Sequence, residues 1–88
     1  MNTHLDHRET SDCYLGELFR QADCRVIICK DGNQWIVQRQ KSGPGTAWRA
    51  LVYCTTRQAV MRLWASLNRT ICPELAALPR TVRGARHG

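Results

Sequence analysis

Residues 24–40, CRVIICKDGNQWIVQRQ, leave this chain few ways to fold, because two apolar runs meet at Asp31-Gly32. Asp-Gly is the favoured pair for a two-residue type I′ turn, in which both central residues take positive φ. A turn there makes the two runs antiparallel neighbours. It sets Cys29 opposite Gln34, Ile28 opposite Trp35, Ile27 opposite Ile36 and Val26 opposite Val37. Alternation then places Val26, Ile28, Trp35 and Val37 on one face, and Arg25, Ile27, Cys29, Gln34, Ile36 and Gln38 on the other. The first is a core face. The second mixes apolar and polar groups, and either an N-terminal helix or a second molecule is expected to cover it.

The flanking segments complete an α+β domain. In SDCYLGELFRQAD, Ser11 or Asp12 stands where a helix cap would, and Leu15, Leu18, Phe19 and Ala22 follow helical spacing. The pattern predicts a short N-terminal helix, although Gly16 costs it about 1 kcal/mol relative to alanine. WRALVYC, residues 48–54, predicts a third strand, with Trp48, Ala50, Val52 and Cys54 on one side and Arg49, Leu51 and Tyr53 on the other. TTRQAVMRLWASLNRTI predicts a long helix: Thr55 and Gln58 have capping-box spacing, and Val60, Leu63, Trp64, Leu67 and Ile71 form an apolar stripe. The expectation is a short N-terminal helix, a three-stranded antiparallel meander and a long C-terminal helix packed on one face. PELAAL adds a final short turn. Residues 1–10 read as a flexible leader, 11–78 as one domain and 79–88 as a basic flexible tail.

No apolar run approaches the roughly 18 residues that cross a bilayer, and the polar N-terminus lacks the pattern of a secretory signal. Five cysteines, an odd number without a close pair, point to reduced thiols and a cytoplasmic setting. Catalysis has few candidates. His4, His7 and His87 lie in the terminal segments, acids are scarce after Asp31, and no nucleophile, metalloprotease or phosphate-loop motif occurs. The expectation is a protein without enzymatic activity. Zinc held by His4, His7 and Cys13 lacks the paired close ligands of structural sites, and no cofactor is expected.

Charge carries more information. Residues 1–31 hold four Lys or Arg against six Asp or Glu, whereas residues 32–88 hold nine cations against Glu74 alone. Eleven of the thirteen cations are arginine, the residue suited to forked contacts with phosphate or carboxylate. Arg39 and Lys41 end the second strand and Arg49 begins the third, so they should gather at one end of the sheet. Trp48 beside them is either an exposed ring, as in single-strand nucleic-acid sites and protein hot spots, or a core residue rimmed by solvated arginines. Arg57, Arg62 and Arg69 extend the basic set along the helix. An acidic protein surface, a ribonucleoprotein or DNA or RNA is the expected partner.

CRVIICKDGNQWIVQRQ followed by WRALVYCTTRQAVMRLWASL resembles a pattern in small proteins of proteobacterial phages and other mobile elements. In size, and in having a single domain without catalytic motifs, the chain is similar to the anti-CRISPR inhibitors among them. The likeness spans roughly residues 24–67 and rests on a strand-turn-strand-strand-helix rhythm. It implies a stoichiometric inhibitor that binds a CRISPR effector complex and blocks target DNA, with no site residue carried over. Several such inhibitors are anionic DNA mimics. This chain, at +6, departs from them, which implies basic contacts to acidic protein, guide or target nucleic acid. The alternative is a basic accessory protein that binds nucleic acid directly.

Overall fold

The expected hairpin forms the centre of a four-stranded antiparallel sheet. The computed structural model describes residues 8–12, 14–41, 47–67 and 70–82. Strands β1 (Glu17–Gln21), β2 (Cys24–Ile28), β3 (Trp35–Gln40) and β4 (Trp48–Cys54) lie side by side in chain order, followed by helices α1 (Arg57–Ser66) and α2 (Pro73–Ala76). Val26 pairs with Val37, Ile27 with Ile36 and Ile28 with Trp35, the register that alternation demands. The turn differs from type I′. Gly32 N–H donates to Cys29 O at 2.9 Å, Cys29 N–H donates to Gln34 O at 2.9 Å, and of the turn residues only Gly32 has positive φ, 72°. The loop therefore runs from Lys30 to Asn33 and needs one left-handed residue, not two, while the strand register stays the same.

The expected N-terminal helix does not form. Glu17–Gln21 is strand β1, antiparallel to β2, so the sheet has four strands instead of three. Of the four residues whose spacing suggested a helix, Phe19 enters the core, Leu15 and Leu18 are exposed, and Ala22 sits at φ 55° in the turn to β2. Left-handed backbone at a non-glycine costs on the order of 1–2 kcal/mol. Pairing outweighs it, because β1 satisfies backbone groups along an edge of β2 that would otherwise lack partners. Gly16 belongs to this arrangement: a Cβ there would lie 2.6 Å from the Tyr14 ring and 2.9 Å from Ile28 O. Its carbonyl accepts Ile28 N–H at 2.9 Å.

A second correction concerns β4. Val52 lies opposite Val37, but Ala50 lies opposite Gln38, so Leu51 is the extra residue of a bulge. A bulge reverses side-chain parity beyond it. Val52 and Cys54 face the helices, whereas Trp48 and Ala50 turn to the opposite face with Gln38 and Gln40. The same reversal brings Arg49 onto the face of its partner Arg39.

The long C-terminal helix is also shorter than its apolar stripe suggested. α1 spans ten residues, and the N–H of Leu67 closes it on the carbonyls of Leu63 and Trp64. Its cap is Thr56, whose Oγ1 accepts from Ala59 N–H at 3.2 Å, and not Thr55. Ile71, expected in the stripe, is exposed. Val60 and Trp64 are fully buried and join Phe19, Val26, Trp35 and Val37 in the helix-side core. Each such side chain contributes about 1.5–3 kcal/mol of burial. Residues 80–82, read from sequence as tail, close this core: Thr81 bridges Thr56, Val82 N–H donates to Thr55 O at 3.0 Å, and Val82 is buried.

The mixed face is covered by the chain itself. Tyr14, Ile27, Cys29 and Ile36 form a second core cluster, with Ala50 packed on it. The Tyr14 hydroxyl donates to Ile28 O at 2.8 Å. Among the described residues, no helix is long and apolar enough to cross a membrane.

Candidate anion-binding end of the sheet

Arg39 and Arg49 lie directly opposite each other on β3 and β4. Lys41 N–H donates to Ala47 O at 3.0 Å, so the ladder continues one step and carries Lys41 beside them. Arg39, Gln40, Lys41 and Arg49 line a depression of about 380 Å³. Like charges at directly opposed positions destabilise a sheet unless a counter-charge offsets them. Among the described residues, Asp23 approaches, with Oδ2 3.5 Å from Arg39 Nε. The Nε itself is shielded from solvent and lacks a hydrogen-bond acceptor. The Asp23 carboxylate set against the Arg39, Lys41 and Arg49 side chains leaves these four groups with a net positive charge. Groups of this kind can attract anionic oxygen.

The other residues of the expected basic set are dispersed. Trp48 is fully buried and is not a stacking platform. Its Nε1–H donates to Asp12 Oδ1 at 3.0 Å, and the guanidiniums of Arg20 and Arg25 lie 4.9 and 4.4 Å from the ring centre. The bulge put it there by reversing the side-chain parity of β4 between Val52 and Ala50. Arg57 is held internally: Nη1 donates to Leu78 O at 2.9 Å and to Ala76 O at 3.5 Å, satisfying carbonyls at the end of α2. Arg62 is exposed on α1 and does not line the depression. Arg69 lies outside the described residues.

Sequence reasoning missed a fully buried cation on the opposite face. Arg25 has no exposed surface, and acceptors surround all five of its N–H donors. Nε donates to Gln38 Oε1 at 2.7 Å. Nη1 donates to Glu17 Oε1 at 2.8 Å and Asp12 O at 3.4 Å, and Nη2 to Ser11 O at 2.8 Å and Glu9 O at 3.1 Å. Gln38 Nε2 also donates to Glu9 O at 2.9 Å. Arg25 thus ties the N-terminal segment to the sheet. The readable signal was the acid excess of residues 1–31, since Glu17 and Asp12 also pair with Arg20, at 2.7 and 3.0 Å.

These contacts shift both carboxyls. The Trp48 indole N–H, working against burial and joined by the Arg20 charge, holds Asp12 below its usual range. Burial opposes ionisation of Glu17, but hydrogen bonds from Arg20 and Arg25 outweigh it and the group is also lowered. A depressed folded-state pKa stabilises above the unfolded value and is lost as pH falls through the folded one. Thermal melts should be level from about pH 7 to 5 and fall steeply below about pH 4. In Glu17→Gln this acid dependence should be shallower; an unchanged profile would mean that Glu17 does not contribute.

Among the described residues, no group of three or more His, Cys, Asp or Glu side chains is placed to hold a metal ion. His4, His7, Cys13 and His87 lie outside them. Cys24, Cys29, Cys54 and Cys72 are free thiols. Comparison with protein-family models, curated proteins and solved structures finds no match to this chain.

Proposed function

We propose that this protein acts by occupancy, as a non-enzymatic stoichiometric inhibitor that grips a polyanionic partner through Arg39, Lys41 and Arg49. The observation that carries this reading is the directly opposed Arg39–Arg49 pair, an arrangement that gains stability when an anion bridges it. The sequence likeness to mobile-element inhibitors supplies the partner: a CRISPR effector complex, met in the cytoplasm and blocked from target DNA. With Trp48 buried, no ring of the predicted set is left for bases to stack on, so the grip is electrostatic and indifferent to sequence. That favours one second reading, a nucleic-acid-binding accessory protein that contacts the phosphate backbone directly.

The two readings separate in one titration series. An inhibitor binds the assembled effector and leaves a labelled DNA duplex untouched at physiological salt. An accessory protein binds the duplex alone, with affinity falling steeply as salt rises. In either case the double variant Arg39→Glu/Arg49→Glu should lose at least about tenfold in affinity, because two phosphate or carboxylate contacts become repulsive. Its melting curve should stay close to the parent's, since both side chains are outside the core. Full binding by the folded double variant would remove the site.

A further inference from the structure

The outer edge of β4 lies open between two places where the chain closes it. The bonds from Cys29 N–H to Gln34 O and from Gln40 N–H to Asp23 O set the phase of the β2–β3 ladder, so Ile36 and Gln38 turn their N–H and C=O groups toward β2. Their partners on β4, Tyr53 and Ala50, therefore aim theirs outward, away from β3. At the start of this edge Trp48 N–H donates to Thr10 O at 3.0 Å, and just past its end Val82 N–H donates to Thr55 O at 3.0 Å. Among the described residues, no backbone group is hydrogen-bonded to the edge between those two points. The open stretch, residues 49–54, spans roughly 20 Å. Ala50 and Leu51 are partly buried along it, and Tyr53 is 58% exposed.

Charge selects what fits there. Arg49 opens the stretch, and Arg80, whose carbonyl accepts Arg57 N–H at 2.9 Å, stands just beyond its end; both side chains are exposed. Glu74 is the sole acid of residues 32–88. A second copy would set two chains of net charge +6 edge to edge, and the bulge at Leu51 breaks the even spacing on which two long strands pair. A short acidic segment is drawn by the same charge and needs only the few bonds on offer. We propose that the outer edge of β4 receives an extended, acid-bearing segment of a partner protein as a fifth strand. Its main chain bonds to Ala50 and Tyr53, and its carboxylates face Arg49 and Arg80. This surface adjoins the anion site at Arg49 but differs from it in kind. It asks the partner for backbone donors as well as acceptors, and a phosphate chain has no such donors. It stands whether or not Arg39 and Lys41 hold an anion.

The test uses the full chain and a short fluorescein-labelled peptide of alternating glutamate and valine, followed by fluorescence anisotropy and amide hydrogen exchange. The peptide should bind and slow exchange at Ala50 and Tyr53. The same peptide N-methylated throughout, which keeps every charge but loses its donors, should bind at least about tenfold more weakly. A lysine-valine counterpart should not bind. Ala50→Pro removes an outward donor at a position where an edge strand tolerates proline, and should weaken binding about three- to tenfold. Where that variant melts early, the exchange of Ala50 and Tyr53 in the parent decides. Absence of binding by the glutamate-valine peptide, binding undiminished by N-methylation or by Ala50→Pro, or protection confined to Arg39–Lys41 overturns the proposal. A parent that dimerises in sedimentation, with Ala50 and Tyr53 protected before any peptide is added, assigns the edge to a second copy and overturns it equally.

Discussion

Replacing Arg25 by alanine is expected to cost about 3–5 kcal/mol of folding stability, the loss that follows when one partner of a buried ion pair is removed. The change strands Gln38 Oε1, the Glu17 carboxylate and the carbonyls of Glu9, Asp12 and Ser11, all of which now accept from one guanidinium. It also takes a cation from the Trp48 ring. A domain of this size holds roughly 5–10 kcal/mol in all, so the variant should lose from about a third of its stability to nearly all of it. Arg25→Lys should fall between the two, because an ammonium keeps the charge but lacks the planar fork. Urea denaturation reads the energy. Amide exchange of residues 9–14 reads the mechanism, since the segment should lose protection before the sheet does. A variant within about 1 kcal/mol of the parent would show that the N-terminal segment is held by something else.

The second large effect is expected at Trp64. Trp64→Ala should cost about 3–5 kcal/mol, because the ring is fully buried between helix and sheet and meets Phe19 edge-on at 5.6 Å. Its Nε1–H lies 3.1 Å from both Gln21 Oε1 and Thr70 O, joining β1 and the segment after α1 to the core. Trp64→Phe separates the contributions: most of the buried area survives, and about 1–3 kcal/mol should be lost for the acceptors left without their donor. Equal losses in the two variants would assign the whole effect to the hydrogen bonds. A melting curve unchanged in Trp64→Ala would contradict the packing.

The parts of this fold legible in the sequence are those set by neighbours in the chain. The pairing of Val26 with Val37 and Ile27 with Ile36 follows from a short loop and from alternation, and both are local. What stayed hidden depends on distant partners. Leu15, Leu18, Phe19 and Ala22 satisfy a helical repeat by accident, and only the open edge of β2 turns residues 17–21 into a strand. The bulge at Leu51 has no local mark, yet it moves Trp48 and Ala50 off the face of Val52 and Cys54 and sets Arg49 on the face of Arg39. The grouping of Arg39, Lys41 and Arg49 was legible because adjoining ends of consecutive strands must meet. The capture of Arg57 by the carbonyls of Ala76 and Leu78 was not, because α2 had to be placed first. Arg25 was assigned to the correct face, but its burial depends on acids that an N-terminal helix would have carried elsewhere.

Backbone amide chemical shifts, followed during titration with a DNA duplex or an effector complex, test the anion site most directly. The account predicts perturbations concentrated at Asp23, Arg39–Lys41 and Trp48–Ala50 that weaken as salt is raised. Shifts centred instead on Arg57 and Arg80, or on the outer face of α1 around Arg62, with residues 39–41 and 49 unmoved, would contradict it.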